Sequence, residues 1–184
     1  MDIQLGTLNI IPAMEHLNLL APSVAEALKR MPGADQVGVA EIDATLSDTA
    51  AFCEHYQIQP NQAANCVVLE AKRGDKTWFA ACSILGSTRA DVNGVARRTL
   101  DARKVSFAPM EMAVTQTHME YGAITPLGLP NEWPILVDRA VADSAYVVMG
   151  SGVRTSKLIV SGSFLGALSN AQIIDGLALA KIVS

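Results

Sequence analysis

Four groups of residues in this sequence have the types and spacing to carry chemistry. His118-Met119-Glu120 reproduces the H-x-E half of a zinc deaminase site, in which His binds the metal and Glu moves protons. The P-C-x-x-C half is absent, so no metal is expected and a surface histidine after a helix is the preferred reading. Cys66 would be a nucleophile if His55 or His118 activated it, but it opens an apolar run, where a free cysteine behaves as a small buried hydrophobe. Two glycine loops, Gly122-Ala123-Ile124-Thr125-Pro126 and Gly150-Ser151-Gly152, would turn backbone N–H groups toward a ligand as anion-binding nests do. They would equally serve as ordinary tight turns, and spacing alone does not separate the two uses. Arg97, Arg98, Arg103 and Lys104 form a basic cluster, which is either a solvated face or a local contact for nucleic acid. There is no G-x-S-x-G elbow, no G-x-x-x-x-G-K and no G-x-G-x-x-G, so acyl-serine, phosphate-loop and dinucleotide chemistry lose their usual support, and no cofactor is expected.

The elements that must position these residues follow from periodicity. Val24, Ala27, Leu28 and Met31 recur at helical spacing within 21–31, and Pro32-Gly33 ends that helix. Val37 to Ile42 alternates as a strand does, and Ser47-Asp48 caps a short helix running to Tyr56. The apolar runs Cys66 to Ala71 and Trp78 to Leu85, joined across Gly74-Asp75, predict a hairpin buried on both faces at the centre of a sheet. Thr88 and Asp91 have capping-box spacing and would start a helix bearing Val92, Val95, Ala96 and Leu100. Pro109 suits the first position of a helix over Met110 to Thr117. Gly122, Pro126, Gly128, Pro130 and Pro134 make 121–134 a rigid loop. Strands are expected over 133–137, 145–149 and 157–160, with a closing helix from Ala171 to Ile182. Strands and helices mix without regular βαβ alternation, which argues α+β with a mixed sheet.

Composition sets the limits. Half of the 184 residues are hydrophobic and 17% are charged, which excludes a disordered chain and supplies a core without staples; one domain over 1–184 is expected. The net charge of −4 confines any nucleic-acid contact to a local patch, and two Trp, three Tyr and four Phe are too few for a broad stacking platform. No DNA partner is expected. No apolar run reaches the roughly 18 residues of a spanning helix. Met1-Asp2-Ile3-Gln4 puts no basic region ahead of an apolar one, so neither membrane insertion nor secretion is expected. Cys53, Cys66 and Cys82 fit no disulfide framework or metal spacing, and a reducing cytoplasm is the simplest home.

At the two glycine loops the sequence resembles the YbaK/prolyl-tRNA synthetase-associated domain family of tRNA-editing proteins. The resemblance rests on GAITP at 122–126 continuing as Leu127-Gly128, on the strand ending in Asp138, and on GSGVR at 150–154 ahead of a strand with Leu158. It extends over about Gln57 to Leu168. It implies an α+β fold with a mixed sheet curled into a partial barrel inside surrounding helices, and hydrolysis of the ester of mischarged tRNA in trans, without metal. The aminoacylated 3′ end of tRNA is the implied partner, with an aminoacyl-tRNA synthetase as a further one. Carried onto this sequence, the resemblance implies catalytic positions at Asn65, Gly122, Gly150 and Ser151, with Asn65 standing where the family usually has lysine. It implies substrate contacts from Ala123, Ile124, Thr125, Pro126, Asp138, Gly152 and Arg154, and gives the Arg97, Arg98, Arg103 and Lys104 cluster the acceptor stem to hold. The alternatives are a module that binds tRNA or a small nucleotide or amino-acid ligand without turnover, and an interaction protein with no small ligand.

Overall fold

The structure is a computed structural model that describes residues 3–181; Met1 and Asp2, read above as part of the N-terminus, and Ile182 at the end of the expected closing helix lie outside the described residues. The strands are β1 (Ile11–Pro12), β2 (Gly38–Glu41), β3 (Ala64–Arg73), β4 (Lys76–Leu85), β5 (Thr88–Ala90), β6 (Lys104–Phe107), β7 (Ile135–Asp138), β8 (Val147–Gly150), β9 (Ser156–Val160), β10 (Ala171–Ile174) and β11 (Ala178–Ala180). The α-helices are α1 (Pro22–Leu28), α2 (Thr49–His55), α3 (Arg97–Thr99), α4 (Met110–Thr117), α5 (Arg139–Ala142) and α6 (Gly162–Gly166).

The β3–β4 hairpin organises the larger sheet. Its ten-residue strands pair from Ala64↔Leu85 to Arg73↔Lys76, and the two-residue turn carries Gly74 at φ +58°, a conformation that costs glycine little. Both faces are covered, which is why the strands read as nearly continuous apolar runs. Leu69, Ala71, Ala80, Cys82 and Ile84 pack with Val92, Ala96, Leu100 and Leu177 on one side. Ala64, Val68, Ala81 and Leu85 pack on the other with Val24, Leu28, Leu127, Trp133 and Leu158. The order of this mixed sheet is β10-β7-β4-β3-β6, with β7 parallel to both β4 and β10. A second, antiparallel sheet runs β1-β2-β9-β8, and α2 covers it with Phe52 and Cys53 against Ala40, Val148 and Ile159. Among the described residues the two sheets are joined by a single bridge, Ala63↔Val148, at the start of β3. They curl toward one another as a partial barrel that does not close.

Two expected elements differ. The closing helix is replaced by β10 and β11. Gly176, at φ +69°, turns the chain between them, and Ala171–Ile174 adds a parallel edge strand beside β7. Ile174 and Leu177 supply apolar residues of the false helical pattern, and both pack into the core around Leu69 and Ala96. The capping box is displaced by three residues. Thr88–Ala90 is the strand β5, paired with β11, while Asp91 is the cap: its carboxylate accepts from Gly94 N at 3.0 Å and Val95 N at 2.9 Å. Elsewhere the caps act close to expectation, with Asp48 accepting from Ala50 N at 3.0 Å ahead of α2 and Pro109 in the N-cap position immediately before α4.

Candidate functional site

Where the two sheets splay apart beside the Ala63↔Val148 bridge, a cleft of about 500 Å³ opens. Its walls come from the start of β3 (Asn65, Cys66, Val68), the end of β8 (Val148, Met149, Gly150), the loop at Gly122 and Ile124, the segment Ser47–Thr49 with Phe52, and Lys157 on β9. Phe107, Met110 and Tyr121 line it too, and at 65%, 56% and 60% exposure they form an apolar lip.

The two glycine loops are stitched together. Glu120 N donates to Gly152 O and Gly152 N donates to Ala123 O, each at 2.8 Å. Gly150 lies so close beneath the Gly122 loop that a Cβ there would sit 2.3 Å from Ala123 O. Glycine at 150 is therefore a requirement of backbone approach. Ala123, Thr125 and Pro126 are buried and do not line the cleft; they form the body of the loop that presents Gly122 and Ile124.

Asn65 on β3 is half-buried in the cleft wall, and its Oδ1 accepts from Thr49 Oγ1 at 2.8 Å, which fixes the amide so that its nitrogen remains a donor for a ligand. Ser151 is brought near but not into the cleft. It is fully buried, its hydroxyl engages Val153 O and Ser156 O at 3.0 Å, and it also accepts from Ser156 Oγ. That hydroxyl braces the turn and has no free geometry for a nucleophile. Gly152 is likewise buried behind the wall. Arg154 lies at the outer side: its backbone N donates to Glu120 Oε2 and its guanidinium to Ala44 O at 3.1 Å. Asp138 is away from the cleft and caps α5.

The H-x-E pair is spent on local structure. His118 is exposed and ends α4 in the left-handed conformation at φ 54°, and Glu120 holds Arg154. Among the described residues no group of three His, Cys, Asp or Glu side chains is placed to hold a metal. The basic cluster lines no part of the cleft. Arg97 and Arg103 flank a shallow hollow with Arg73 and Gly74, Arg98 is exposed on α3, and Lys104 begins β6. Since β6 ends at Phe107 on the lip, Lys104 stands about 10 Å along the strand from the cleft.

One lining residue was not legible as functional. Lys157 stands in β9 ahead of the apolar Leu158, Ile159 and Val160, and only a charge inside a strand marks it in the sequence. It is 8% exposed, donates from Nζ to Ser47 O at 3.0 Å and lies 5.2 Å from the Phe52 ring centroid; burial pushes its pKa down from the ordinary lysine value.

Cys66 lines the cleft, but burial, and then the neighbouring Cys82, push its thiol far above the ordinary range; Cys82 is pushed up to about 12 by burial. Neither is a thiolate at neutral pH. Iodoacetamide at pH 7.5 is expected to modify Cys66 and Cys82 in the folded protein at least ~100-fold more slowly than in urea. Mass spectrometry of the alkylated peptides reads this, and alkylation of folded Cys66 at the free-thiol rate would revive it as a nucleophile.

The family model for the aminoacyl-tRNA editing domain matches residues 43–166, which is most of the chain and includes every residue that lines the cleft. The chain belongs to the aminoacyl-tRNA editing domain family. Among solved structures, this editing domain is similar to a candidate trans-editing enzyme for prolyl-tRNA synthetase, with 21% identity, TM-score 0.71, and 84% of this chain and 94% of that one covered. It is also similar to a scaffold protein from an epitope-grafting design, at 20% identity and TM-score 0.71 over 85% and 97% of the two chains. A candidate signal transduction protein from Marinobacter aquaeolei shares the fold over 30% of its length and 85% of this chain, at 18% identity and TM-score 0.58. Sequence comparison with curated proteins gives no significant match. No helix among the described residues of the editing domain is long and apolar enough to cross a membrane.

Proposed function

We propose that the protein hydrolyses the ester of mischarged aminoacyl-tRNA in trans, acting as one domain in the cytoplasm. The observation that carries this reading is the convergence of Asn65, Gly122 and Gly150 on one cleft of about 500 Å³, within the size range of small-ligand sites and open enough for an aminoacylated nucleoside. An aminoacyl ester is already labile. A rigid wall that orients it and presents hydrogen-bond donors to the oxygen on which charge develops accelerates attack by water without a metal or a triad. The apolar walls at Ala64, Val68 and Val148 favour a sieve that discriminates by fit, where a synthetase cannot reject a near-isostere by binding energy alone.

The Arg97, Arg98, Arg103 and Lys104 cluster, reached along β6 from the lip, suits the phosphates of an acceptor stem, and a prolyl-tRNA synthetase is the natural source of the mischarged substrate. A panel of 3′-labelled alanyl, cysteinyl, seryl and threonyl esters of tRNA tests the proposal. At least one is expected to be cleaved well above its rate in buffer, with product formation proportional to enzyme. Saturable tRNA binding with no ester cleaved above buffer would replace the hydrolase by a binding module.

A further inference from the structure

Lys157 and Ser47 are buried polar residues of the cleft whose donors the fold leaves largely unspent. An ammonium carries three N–H donors. That of Lys157 gives one to Ser47 O, faces the Phe52 ring, and has no carboxylate within 4 Å among the described residues. Asp48, the acid beside it in the cleft wall, is held by Ala50 N as the cap of α2. The flanking strand residues Leu158, Ile159 and Val160 are fully buried and apolar, and a methionine at 157 would fill the same space without desolvating a charge. A buried cation kept without a carboxylate is a cost the fold itself does not need.

Ser47 supplies the second observation. It is 3% exposed, lines the same cleft, and its hydroxyl has no hydrogen-bond partner among the described residues. Ser83 and Thr125 also carry unpartnered buried hydroxyls, but they line no part of the cleft. Lys157 is also the residue directly opposite Gly150 in the β8–β9 ladder, so the ammonium belongs to the strand that supports the glycine loops.

We propose that Lys157 and Ser47 together receive an acceptor oxygen of the aminoacyl ester that bears full or partial negative charge. This rests on the deacylase reading of the cleft. Two oxygens of the substrate have the chemistry. One is the ester carbonyl oxygen: when water attacks the carbonyl carbon, a C–O bond forms and the carbonyl π pair moves onto that oxygen. Collapse then returns the pair, breaks the bond to the ribose oxygen and leaves that oxygen with a proton from the attacking water. The other is a hydroxyl oxygen on the side chain of the esterified amino acid.

Lys157→Met and Ser47→Ala, assayed on alanyl, seryl and threonyl esters, separate the two. Service to the carbonyl oxygen lowers kcat about 100-fold for every ester in Lys157→Met, with KM changed little. Service to a side-chain oxygen raises KM for seryl and threonyl esters only and leaves the alanyl ester untouched. Ser47→Ala shows the same pattern at smaller size. Adding Asn65→Lys to Lys157→Met, which brings an ammonium into the cleft from β3, restores part of the loss if the charge is what matters; thermal melting confirms that each variant folds. Wild-type kcat and KM on all three esters in Lys157→Met would overturn the proposal. Should the wild-type protein hydrolyse none of them, the deacylase reading fails by itself, and binding of 3′-(serylamino)-3′-deoxyadenosine still decides. Weakening of Kd at least tenfold in Lys157→Met supports the site, whereas an unchanged Kd, or no binding to the wild type, overturns it.

Discussion

Gly150→Ala is expected to destabilise the protein by about 2–3 kcal/mol and to lower deacylation at least ~100-fold at temperatures where the variant remains folded. The added Cβ meets Ala123 O at 2.3 Å, Ala123 C at 2.7 Å and Ile124 O at 2.8 Å. All three are backbone atoms, so no side chain can swing away. The only relief is retreat of the loop that presents Gly122, at the expense of the bond from Gly152 N to Ala123 O. Gly74→Ala is the control. Gly74 is at φ +58° but has nothing within 4 Å of its Cβ direction, so that change costs only the left-handed strain, about 1 kcal/mol, and leaves turnover intact. Urea melts and kcat/KM on the same preparations read both quantities. Equal behaviour of the two variants would remove the close approach at Gly150 from the account of the site.

Asp138→Ala carries the second large effect, and it falls on stability alone. Asp138 is 6% exposed, and its two carboxylate oxygens accept from Ala140 N at 3.1 Å and Ala178 N at 3.0 Å. One carboxylate thus joins the end of β7, the start of α5 and the strand β11. Alanine removes the cap of α5, at about 0.5–2 kcal/mol, and takes the carboxylate partner from the half-buried Ala178 N, at about 1–3 kcal/mol, so a loss near ~3 kcal/mol is expected, with kcat/KM unchanged below the new melting transition. The Asp138→Asn variant retains one acceptor oxygen and about half of the stability difference. A loss of kcat/KM in Asp138→Asn without a shift in melting would return Asp138 to the substrate.

Those two residues illustrate what the sequence made legible. Gly150 and Asp138 were both singled out by motif, yet a motif gives order along the chain and not depth. Only the packing separates the glycine in the cleft wall from the acid that caps α5. The β3–β4 hairpin is readable because burial on both faces leaves nearly continuous apolar runs, and Gly74-Asp75 has the chemistry of a two-residue turn. The closing segment departs from its expected helix because its alanines, isoleucines and leucines fit a helix as well as a strand, and what decides is the open edge of β7 and the turn at Gly176. Ser151 has a nucleophile's side chain, but its hydroxyl is consumed by Ser156 and Val153. Lys157 was invisible for the opposite reason: nothing near it in sequence resembles a site, and its partner Ser47 lies 110 residues away.

That last separation bears on when the site comes into being. The β3–β4 hairpin closes across two residues and can zip as soon as both strands exist, whereas the cleft needs the 47–49 segment, β3, the Gly122 loop, β8 and β9 together. Contacts of such long sequence separation form late, because the entropy of closing the chain is spent before they return anything. A chain still emerging from the ribosome is therefore expected to pair β3 with β4 well before it has a cleft. In the finished protein the Ala63↔Val148 bridge is the one strand pairing between the two sheets among the described residues, so it is expected to open before the ten-residue hairpin ladder does. Amide hydrogen exchange would see this as early release at Val148, whose N–H donates to Gln62 O at 2.8 Å, ahead of the paired amides of β3 and β4.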